Sequence, residues 1–193
     1  MTQPPHCVQL ADCAALPWKN GGGVTRELLA WPAADTEWAV RVSVADIDRD
    51  GPFSSFPGID RCFAVLQGAG VELGLPGSMR RQRSGDAPIA FAGDSVLDCR
   101  LIDGPTRDLN LMGRRSIGQI AMRRALTADR LAAAHAWRAL FSFGRACLDW
   151  GGATPLTIET AALLWAAGPQ PRWRLLEGPH AFWLTFDLTE SMT

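Results

Sequence analysis

The segment WAVRVSVA, which runs from Trp38 to Ala45, decides the fold class because its side chains alternate strictly. An alternation with a period of two predicts a β-strand that has one face in the core. Trp38 and the valines share one face, whereas Arg41 and Ser43 share the other face with small alanines. Alanines leave space above that second face, so we predict that Arg41 and Ser43 line a pocket.

Short segments of this kind recur along the chain, separated by glycine and proline. Further strands are predicted at residues 62–67, 71–75, 89–91, 95–101, 108–114, 139–143, 146–150, 156–165, 173–176 and 182–188. This spacing leaves little room for crossover helices, which favours an antiparallel sandwich or barrel. One short helix is predicted from Thr127 to Trp137, with Thr127 as its N-cap, because the segment is rich in alanine. We place a first β unit in residues 1–115 and a second, more divergent unit in residues 116–193.

The composition is that of a soluble globular protein, and it excludes several classes of function. Hydrophobic residues make up 47% of the 193 residues and charged residues 20%, so the chain can bury a core. The net charge of −1 provides no basic face for nucleic acid. No apolar stretch approaches the ~20 residues of a membrane span, and the N-terminus lacks a signal-peptide pattern. Five cysteines without a CxxC pair indicate reduced thiols and predict a bacterial, cytoplasmic protein.

Recognisable catalytic and cofactor signatures are missing from the sequence. It has no HExxH, CxxC or GxSxG pattern, and its three consecutive glycines match neither a P-loop nor a dinucleotide fingerprint. The histidines His6, His135 and His180 lie far apart in different segments. We therefore assign no catalytic residue, no metal ligand and no cofactor.

Three segments concentrate polar residues in predicted loops and strand ends, at residues 18–28, 50–61 and 104–115. The first carries Lys19, the single lysine, beside Asn20, which is one of only two asparagines. In a chain that otherwise uses arginine, both are functional candidates, although an asparagine before Gly-Gly also suits a turn. The third segment places Asp108, Asn110 and Met112 on one face, a mixture that is natural in a cavity. Together the three segments predict one pocket.

The same segments carry a family resemblance. WKNGGGVTRE at residues 18–27, DGPFSSFPGIDR at 50–61, FAGD at 91–94 and DLNLM at 108–112 resemble the HutD/Ves family of the cupin superfamily. The resemblance covers about residues 8–115. It implies an all-β bicupin, with two cupin-like antiparallel β-barrels or jelly rolls in one chain and little helix.

The resemblance also implies how the pocket differs from a metal-binding cupin. On the general cupin pattern, the metal-ligand positions fall on Ser54, Phe56 and Arg61, which cannot assemble a divalent-metal site. Arg61 can instead pair with a carboxylate through its planar guanidinium. The predicted pocket contains three cationic side chains, Arg41, Arg61 and Lys19, and one anionic side chain, Asp108. We therefore expect a surplus of positive charge in this pocket. The predicted ligand-binding residues are Lys19, Asn20, Thr25, Arg41, Ser43, Phe53, Ser54, Phe56, Arg61, Asp108, Asn110 and Met112.

By resemblance, we expect a metal-free protein that binds a small anionic metabolite of histidine utilisation, such as formylglutamate or urocanate, in a regulatory role. The alternative is a metal-independent cupin enzyme, an isomerase or hydrolase that uses Asp108 or Lys19 as general acid–base. The lack of a histidine near the motifs disfavours that alternative. A protein–protein adaptor would need an exposed apolar patch, whereas most of the eight tryptophans are expected in the core. We leave a homodimer open.

Overall fold

The computed structural model describes residues 3–32, 37–94 and 96–189, and within them the chain is built almost entirely of β-strands. A 3-10 helix, Leu10–Asp12, is the one helical element of this described part. The strands are β1 (His6–Gln9), β2 (Ala15–Pro17), β3 (Gly23–Trp31), β4 (Val40–Ile47), β5 (Gly51–Phe53), β6 (Ile59–Gln67), β7 (Val71–Leu75), β8 (Ser78–Gln82), β9 (Ile89–Ala92), β10 (Leu97–Leu101), β11 (Thr106–Arg114), β12 (Gly118–Ala125), β13 (Arg130–Leu131), β14 (Trp137–Ser142), β15 (Ala146–Asp149), β16 (Leu156–Ile158), β17 (Ala162–Ala167), β18 (Trp173–Glu177) and β19 (Ala181–Leu188). The all-β fold class is confirmed.

The chain forms two compact units, and their division differs from the expected one at residue 115. One unit is Cys13–Ile120, and the other combines Met1–Asp12 with Ala121–Thr193. The difference at the N-terminus has a simple cause, because β1 pairs antiparallel with β17 and places His6 opposite Trp165. The first strand of the chain therefore completes a sheet of the C-terminal unit.

The unit Cys13–Ile120 contains two sheets. Six strands follow the order β2-β3-β4-β11-β6-β9, and four follow the order β5-β10-β7-β8. Buried apolar side chains from both sheets form a common core, among them Ile47, Phe63, Leu73, Leu97 and Cys99. The alternation of β4 and β11 places Val42, Val44, Leu109 and Leu111 on one face and the polar residues Arg41, Ser43, Asp108 and Asn110 on the opposite face.

The other unit repeats this arrangement of a larger and a smaller sheet. Five strands follow the order β1-β17-β14-β19-β12, and four follow the order β13-β18-β15-β16. Its core contains Leu140, Leu148, Trp173, Leu175 and Trp183, and all five side chains are almost inaccessible to solvent. Tryptophan is thus largely a core residue in this unit, as expected.

The predicted helix from Thr127 to Trp137 is wrong. Within that segment, β13 pairs with β18, Trp137 begins β14, and the other residues form turns, bends or irregular structure. The cause is Arg138, whose buried guanidinium donates hydrogen bonds to the carbonyls of Ala132 at 2.9 Å and Ala133 at 2.5 Å. These carbonyls point to a side chain rather than to amides of a helix, so the tertiary contact overrides the helical propensity of the alanines.

Smaller differences concern strand bounds, such as the segment predicted at 38–45, whose strand is β4. The predicted strand at residues 156–165 is two strands, β16 and β17, which lie in different sheets. The strand predicted at 95–101 begins at Leu97, and Ser95 lies outside the described residues. The described residues contain no helix with the length and hydrophobicity that crossing a bilayer requires.

Candidate functional site

The unit Cys13–Ile120 encloses a cavity of about 580 Å³. All twelve residues predicted from the sequence line it, which brings the three polar segments to one place. Six further residues contribute to the lining, and they are Leu16, Pro17, Trp18, Ala45, Pro52 and Val96. Whether the twelve bind a ligand stays a prediction.

Strands β4 and β11 supply one wall of the cavity. They pair antiparallel, with Ser43 opposite Asn110 and Arg41 opposite Met112. Residues directly opposite on paired strands point to the same face, so the alternation of both strands delivers these side chains to the cavity together. The valines of β4 lie on the other face and are fully buried. The pocket predicted above Arg41 and Ser43 is therefore present in the structure.

A chain of hydrogen bonds links the three buried polar groups Arg61, Asn110 and Asp108, which we call the polar floor. The Nη2 of Arg61 donates to the Oδ1 of Asn110 at 2.7 Å. The Nδ2 of Asn110 donates in turn to the Oδ1 of Asp108. Two atoms of the floor, the Nε of Arg61 and the Oδ2 of Asp108, are buried without a hydrogen-bond partner in the described structure.

Three aromatic rings surround the guanidinium of Arg61. Its central carbon lies 5.2 Å from the ring centre of Phe53, 5.7 Å from that of Phe56 and 5.2 Å from that of Phe91. Cation–π attraction of this kind strengthens when water is excluded. Phe53 and Phe56 were predicted as site residues, whereas Phe91 was missed, although it begins the FAGD segment.

Burial controls the protonation of the polar floor. Complete burial raises the pKa of Asp108 well above its usual range, and the nearby Arg61 only partly opposes this shift. Burial also lowers the pKa of Arg61 to about 10, despite the opposing attraction of Asp108. At neutral pH the guanidinium therefore remains charged, while the Asp108 carboxyl is driven towards its neutral form.

Arg41 contributes less free charge to the cavity than the sequence indicated. Its Nε donates to the Oε2 of Glu27 at 2.6 Å, and its Nη1 lies 3.9 Å from the sulfur of Met112. Glu27 was not counted among the charges of the site, although it belongs to the WKNGGGVTREL segment. The expected count of three cations against Asp108 is therefore corrected, because Arg41 already has an anionic partner.

Lys19, Asn20 and Thr25 line the more exposed part of the cavity. The Oδ1 of Asn20 accepts a hydrogen bond from the amide of Gly22 at 2.9 Å, which supports the turn interpretation of this asparagine. Thr25 accepts a hydrogen bond from the indole of Trp18 at 2.7 Å. Lys19 and Asn110 line the same cavity, as predicted, with the lysine exposed and the asparagine buried.

The DGPFSSFPGIDR and FAGD segments hold each other in place beside the cavity. The amide of Phe56 donates to the carbonyl of Gly93 at 2.6 Å, and the amide of Gly93 donates to the carbonyl of Ile59 at 2.7 Å. The carboxylate of Asp94 accepts a hydrogen bond from the amide of Gly58 at 3.0 Å and forms an ion pair with Arg115 at 2.7 Å. The FAGD segment thus fixes the loop that carries Ser54 and Phe56.

The lining does not fit the metal ion that cupins commonly hold. Ser54, Phe56 and Arg61, which the family resemblance aligns with the cupin ligand positions, all line the cavity, and the buried guanidinium of Arg61 repels a cation at close range. Among the described residues, no group of three or more His, Cys, Asp or Glu side chains is placed to hold a metal ion.

Sequence relatives match about half of the chain. An uncharacterised 21.2 kDa protein in the hutC 3′ region of Pseudomonas putida is 39% identical over 102 residues, which are 52% of this chain and 54% of the relative. Protein Ves of Citrobacter koseri is 39% identical over 99 residues, or 51% of this chain and 52% of the relative. In these alignments the chain spans about half the length of the curated relatives it matches.

Solved structures match over nearly the whole chain. HutD from Pseudomonas fluorescens SBW25, in a formate condition, has a TM-score of 0.83 at 28% identity, covering 95% of this chain and 98% of that one. A cupin 2 conserved barrel domain protein from Leptotrichia buccalis has a TM-score of 0.57 at 10% identity, covering 97% and 98%, and shows the cupin-like fold alone. The HutD family profile matches residues 10–181. The chain belongs to the HutD family.

Proposed function

We propose that this protein binds a small carboxylate metabolite in the cavity of the unit Cys13–Ile120 and serves histidine utilisation in a regulatory role. One observation carries the proposal: Arg61 lines the cavity as a buried cation, and its Nε has no hydrogen-bond partner in the described structure. A buried charge is costly unless an opposite charge accompanies it. A bound carboxylate would supply that charge.

The surroundings of Arg61 favour an anionic ligand. Its described hydrogen-bond partner, Asn110, is neutral, and the pKa shift of Asp108 favours a neutral carboxyl. The rings of Phe53, Phe56 and Phe91 exclude water from the guanidinium, which strengthens a charge-assisted hydrogen bond to an incoming carboxylate. The planar guanidinium also fixes the direction in which its unpartnered Nε–H donates to a carboxylate oxygen.

The rest of the lining supports a ligand of metabolite size that carries a second polar end. The cavity of about 580 Å³ lies within the range of small-molecule sites. Lys19 adds a cation at its exposed side, next to the apolar Leu16 and Pro17. Formylglutamate and urocanate match this pattern, and the relative from the hutC 3′ region supports a link to histidine utilisation.

Isothermal titration with N-formyl-L-glutamate, urocanate and their neutral amides tests the proposal. We expect one molecule of a carboxylate per chain and weaker binding of its amide. Arg61→Lys keeps the charge but loses the planar fork, so its affinity should fall about tenfold, and Arg61→Ala should lose more. Arg80→Ala is the matched control, because Arg80 is exposed on β8 and does not line the cavity.

Two results would overturn the proposal. Equal affinities for the acids and their amides would show that charge is not recognised. Unchanged binding by Arg61→Ala would show that the arginine supports the fold rather than the ligand. NMR spectra of the same mixtures would reveal any turnover, and a product formed by the wild-type protein would establish the enzymatic alternative.

A further inference from the structure

Asp108 is an unusual residue for the wall of an anion site. It is the third residue of β11, which lies between β4 and β6, and it stands opposite Ala45 on one side and Val65 on the other. Its side chain lines the cavity yet has 0% exposure in the structure. If it were ionised, this carboxyl would repel the carboxylate that Arg61 attracts.

The hydrogen bonds of the polar floor assign different roles to the two oxygens of Asp108. Because Arg61 donates to the Oδ1 of Asn110, the amide nitrogen of Asn110 is left to donate to Asp108. The Oδ1 of Asp108 is therefore an acceptor. A proton on this carboxyl belongs on Oδ2, which is buried without a hydrogen-bond partner in the described structure, in a residue that lines the cavity.

Several charged groups around Asp108 have partners of their own, although the Asp46 carboxylate still adds to the burial that raises the pKa of Asp108. On β4, Arg41 is paired with Glu27, and Asp46 is paired with Arg26 and Arg107. On β10, burial raises the pKa of the Cys99 thiol to about 12, so this thiol adds no negative charge near neutral pH. The cation that faces Asp108 from β6 is Arg61, and it reaches the carboxyl through Asn110.

We propose that Asp108 binds the ligand as a neutral acid, donating the proton on its Oδ2 to the carboxylate that Arg61 holds. This inference rests on the proposed function. The Nε–H of Arg61 and the Oδ2–H of Asp108 then form a pair of donors for the two carboxylate oxygens. The proton comes from solvent and remains on Asp108, so the affinity for a carboxylate falls about tenfold per pH unit above the pKa of Asp108 in the free protein.

Substitution of Asp108 by asparagine tests whether the ligand needs a hydrogen-bond donor at this position, because asparagine can donate a hydrogen bond but cannot ionise. Asp108→Asn keeps an acceptor for Asn110 and places an N–H donor where Oδ2 lies, so it imitates the neutral acid. With N-formyl-L-glutamate, which has no group that titrates above about pH 6, we expect Asp108→Asn to rescue the affinity that Asp108→Leu loses, about tenfold or more. The Asn variant should also bind with the same affinity from pH 6 to about pH 9. Asp103→Asn, on the exposed turn after β10, is the matched control.

Infrared difference spectroscopy supplies a direct measurement on the complex. The carbonyl band of a protonated carboxyl should shift when N-formyl-L-glutamate binds, and it should be missing in Asp108→Asn but present in Asp103→Asn. Circular dichroism confirms that each variant is folded before it is titrated.

The possible results distinguish this inference from the proposed function. Binding by the wild-type protein without a protonated Asp108 band, or loss of binding in a folded Asp108→Asn, would overturn the proton-bearing role while carboxylate binding stands. Failure of N-formyl-L-glutamate, urocanate and glutarate to bind at any pH would overturn the proposed function itself, and the inference with it.

Discussion

Arg61 and Phe91 lie directly opposite each other on β6 and β9, and the ring centre of Phe91 is 5.2 Å from the guanidinium carbon. This pairing joins the edge strand of the six-stranded sheet to the cavity. It means that the FAGD segment contributes one of the rings around the buried cation, in addition to fixing the neighbouring loop. Phe91 is therefore a positioning residue for Arg61.

Phe91→Leu tests this relationship. The substitution keeps an apolar side chain but removes the ring face, and a desolvated cation–π contact contributes up to about 2 kcal/mol. We expect the free energy of unfolding to fall by about 1–2 kcal/mol and the affinity for N-formyl-L-glutamate to fall about three- to tenfold. Urea denaturation and isothermal titration measure the two effects. Wild-type affinity in this variant would show that Phe91 does not orient the guanidinium.

Gly93→Ala tests the contact between the two segments beside the cavity. A Cβ at this position would lie 2.9 Å from the carbonyl oxygen of Ile59 and 3.1 Å from that of Phe56. Backbone must move to relieve such a clash, so we expect a loss of about 1–3 kcal/mol in the free energy of unfolding. Gly144→Ala is the control, since its Cβ meets no atom within 4 Å. Equal stabilities of the two variants would contradict the close approach at Gly93.

Much of the cavity could be predicted from the sequence because β-strand alternation is a local property. The period of two in WAVRVSVA and DLNLM is enough to place Arg41, Ser43, Asp108, Asn110 and Met112 on inward faces. The register of β4 and β11 then brings these faces together. The glycine- and proline-rich segments gave the remaining lining residues through their family resemblance.

The features that the sequence did not reveal depend on contacts between distant segments. No pattern in the sequence around these residues indicates that Glu27 on β3 pairs with Arg41 on the neighbouring β4, or that Phe91 packs against Arg61. The pairing of β1 with β17 likewise joins segments from opposite ends of the chain. The incorrect helix had the same origin, because the alanine-rich segment is held by hydrogen bonds from Arg138, which lies outside it.

Arg138→Met tests the role of this buried arginine in the unit that contains it. Arg138 has 0% exposure and donates to the carbonyls of Ala132, Ala133 and Pro171. Methionine keeps an apolar stem but leaves buried carbonyls without donors, so we expect a loss of about 3 kcal/mol or more in the free energy of unfolding. Arg138→Lys can donate to some of these carbonyls, so its free energy of unfolding should lie between those of Arg138→Met and the wild-type protein. Wild-type stability of Arg138→Met in urea would contradict the role.

Elemental analysis of protein purified without a metal-binding tag tests the metal-free character of the cavity. We expect less than stoichiometric transition metal, because the side chains that the family resemblance aligns with the cupin ligand positions are a hydroxyl, a phenyl ring and a guanidinium. Protein dialysed against Zn²⁺ or Mn²⁺ and then against buffer should give the same result. A stoichiometric metal that is lost on Arg61→Ala would contradict the expectation decisively.

The dependence of stability on pH should reveal Asp108 in the free protein. Burial raises its pKa above the unfolded value, so between the two pKa values the native state binds more protons than the unfolded state. The contribution of Asp108 to stability is therefore fully present below about pH 4, the unfolded pKa, and is lost as pH rises towards the folded pKa. The side chain at position 108 does not titrate in Asp108→Asn. As pH rises, the free energy of unfolding of this variant should therefore increase relative to that of the wild-type protein, by up to about 1.4 kcal/mol per pH unit.

Urea denaturation of both proteins at several pH values between about 5 and 8 measures this difference. Asp46 is the internal comparison, because hydrogen bonds from Arg107 and Arg26 outweigh its burial and lower its pKa. The stability that Asp46 contributes is present above its unfolded pKa and is lost as pH falls, so Asp46→Asn should be destabilised most at neutral pH. As pH rises, the stability relative to the wild-type protein should therefore increase for Asp108→Asn and decrease for Asp46→Asn. Parallel curves for Asp108→Asn and wild type across this range would show that Asp108 has an ordinary pKa and is ionised in the cavity.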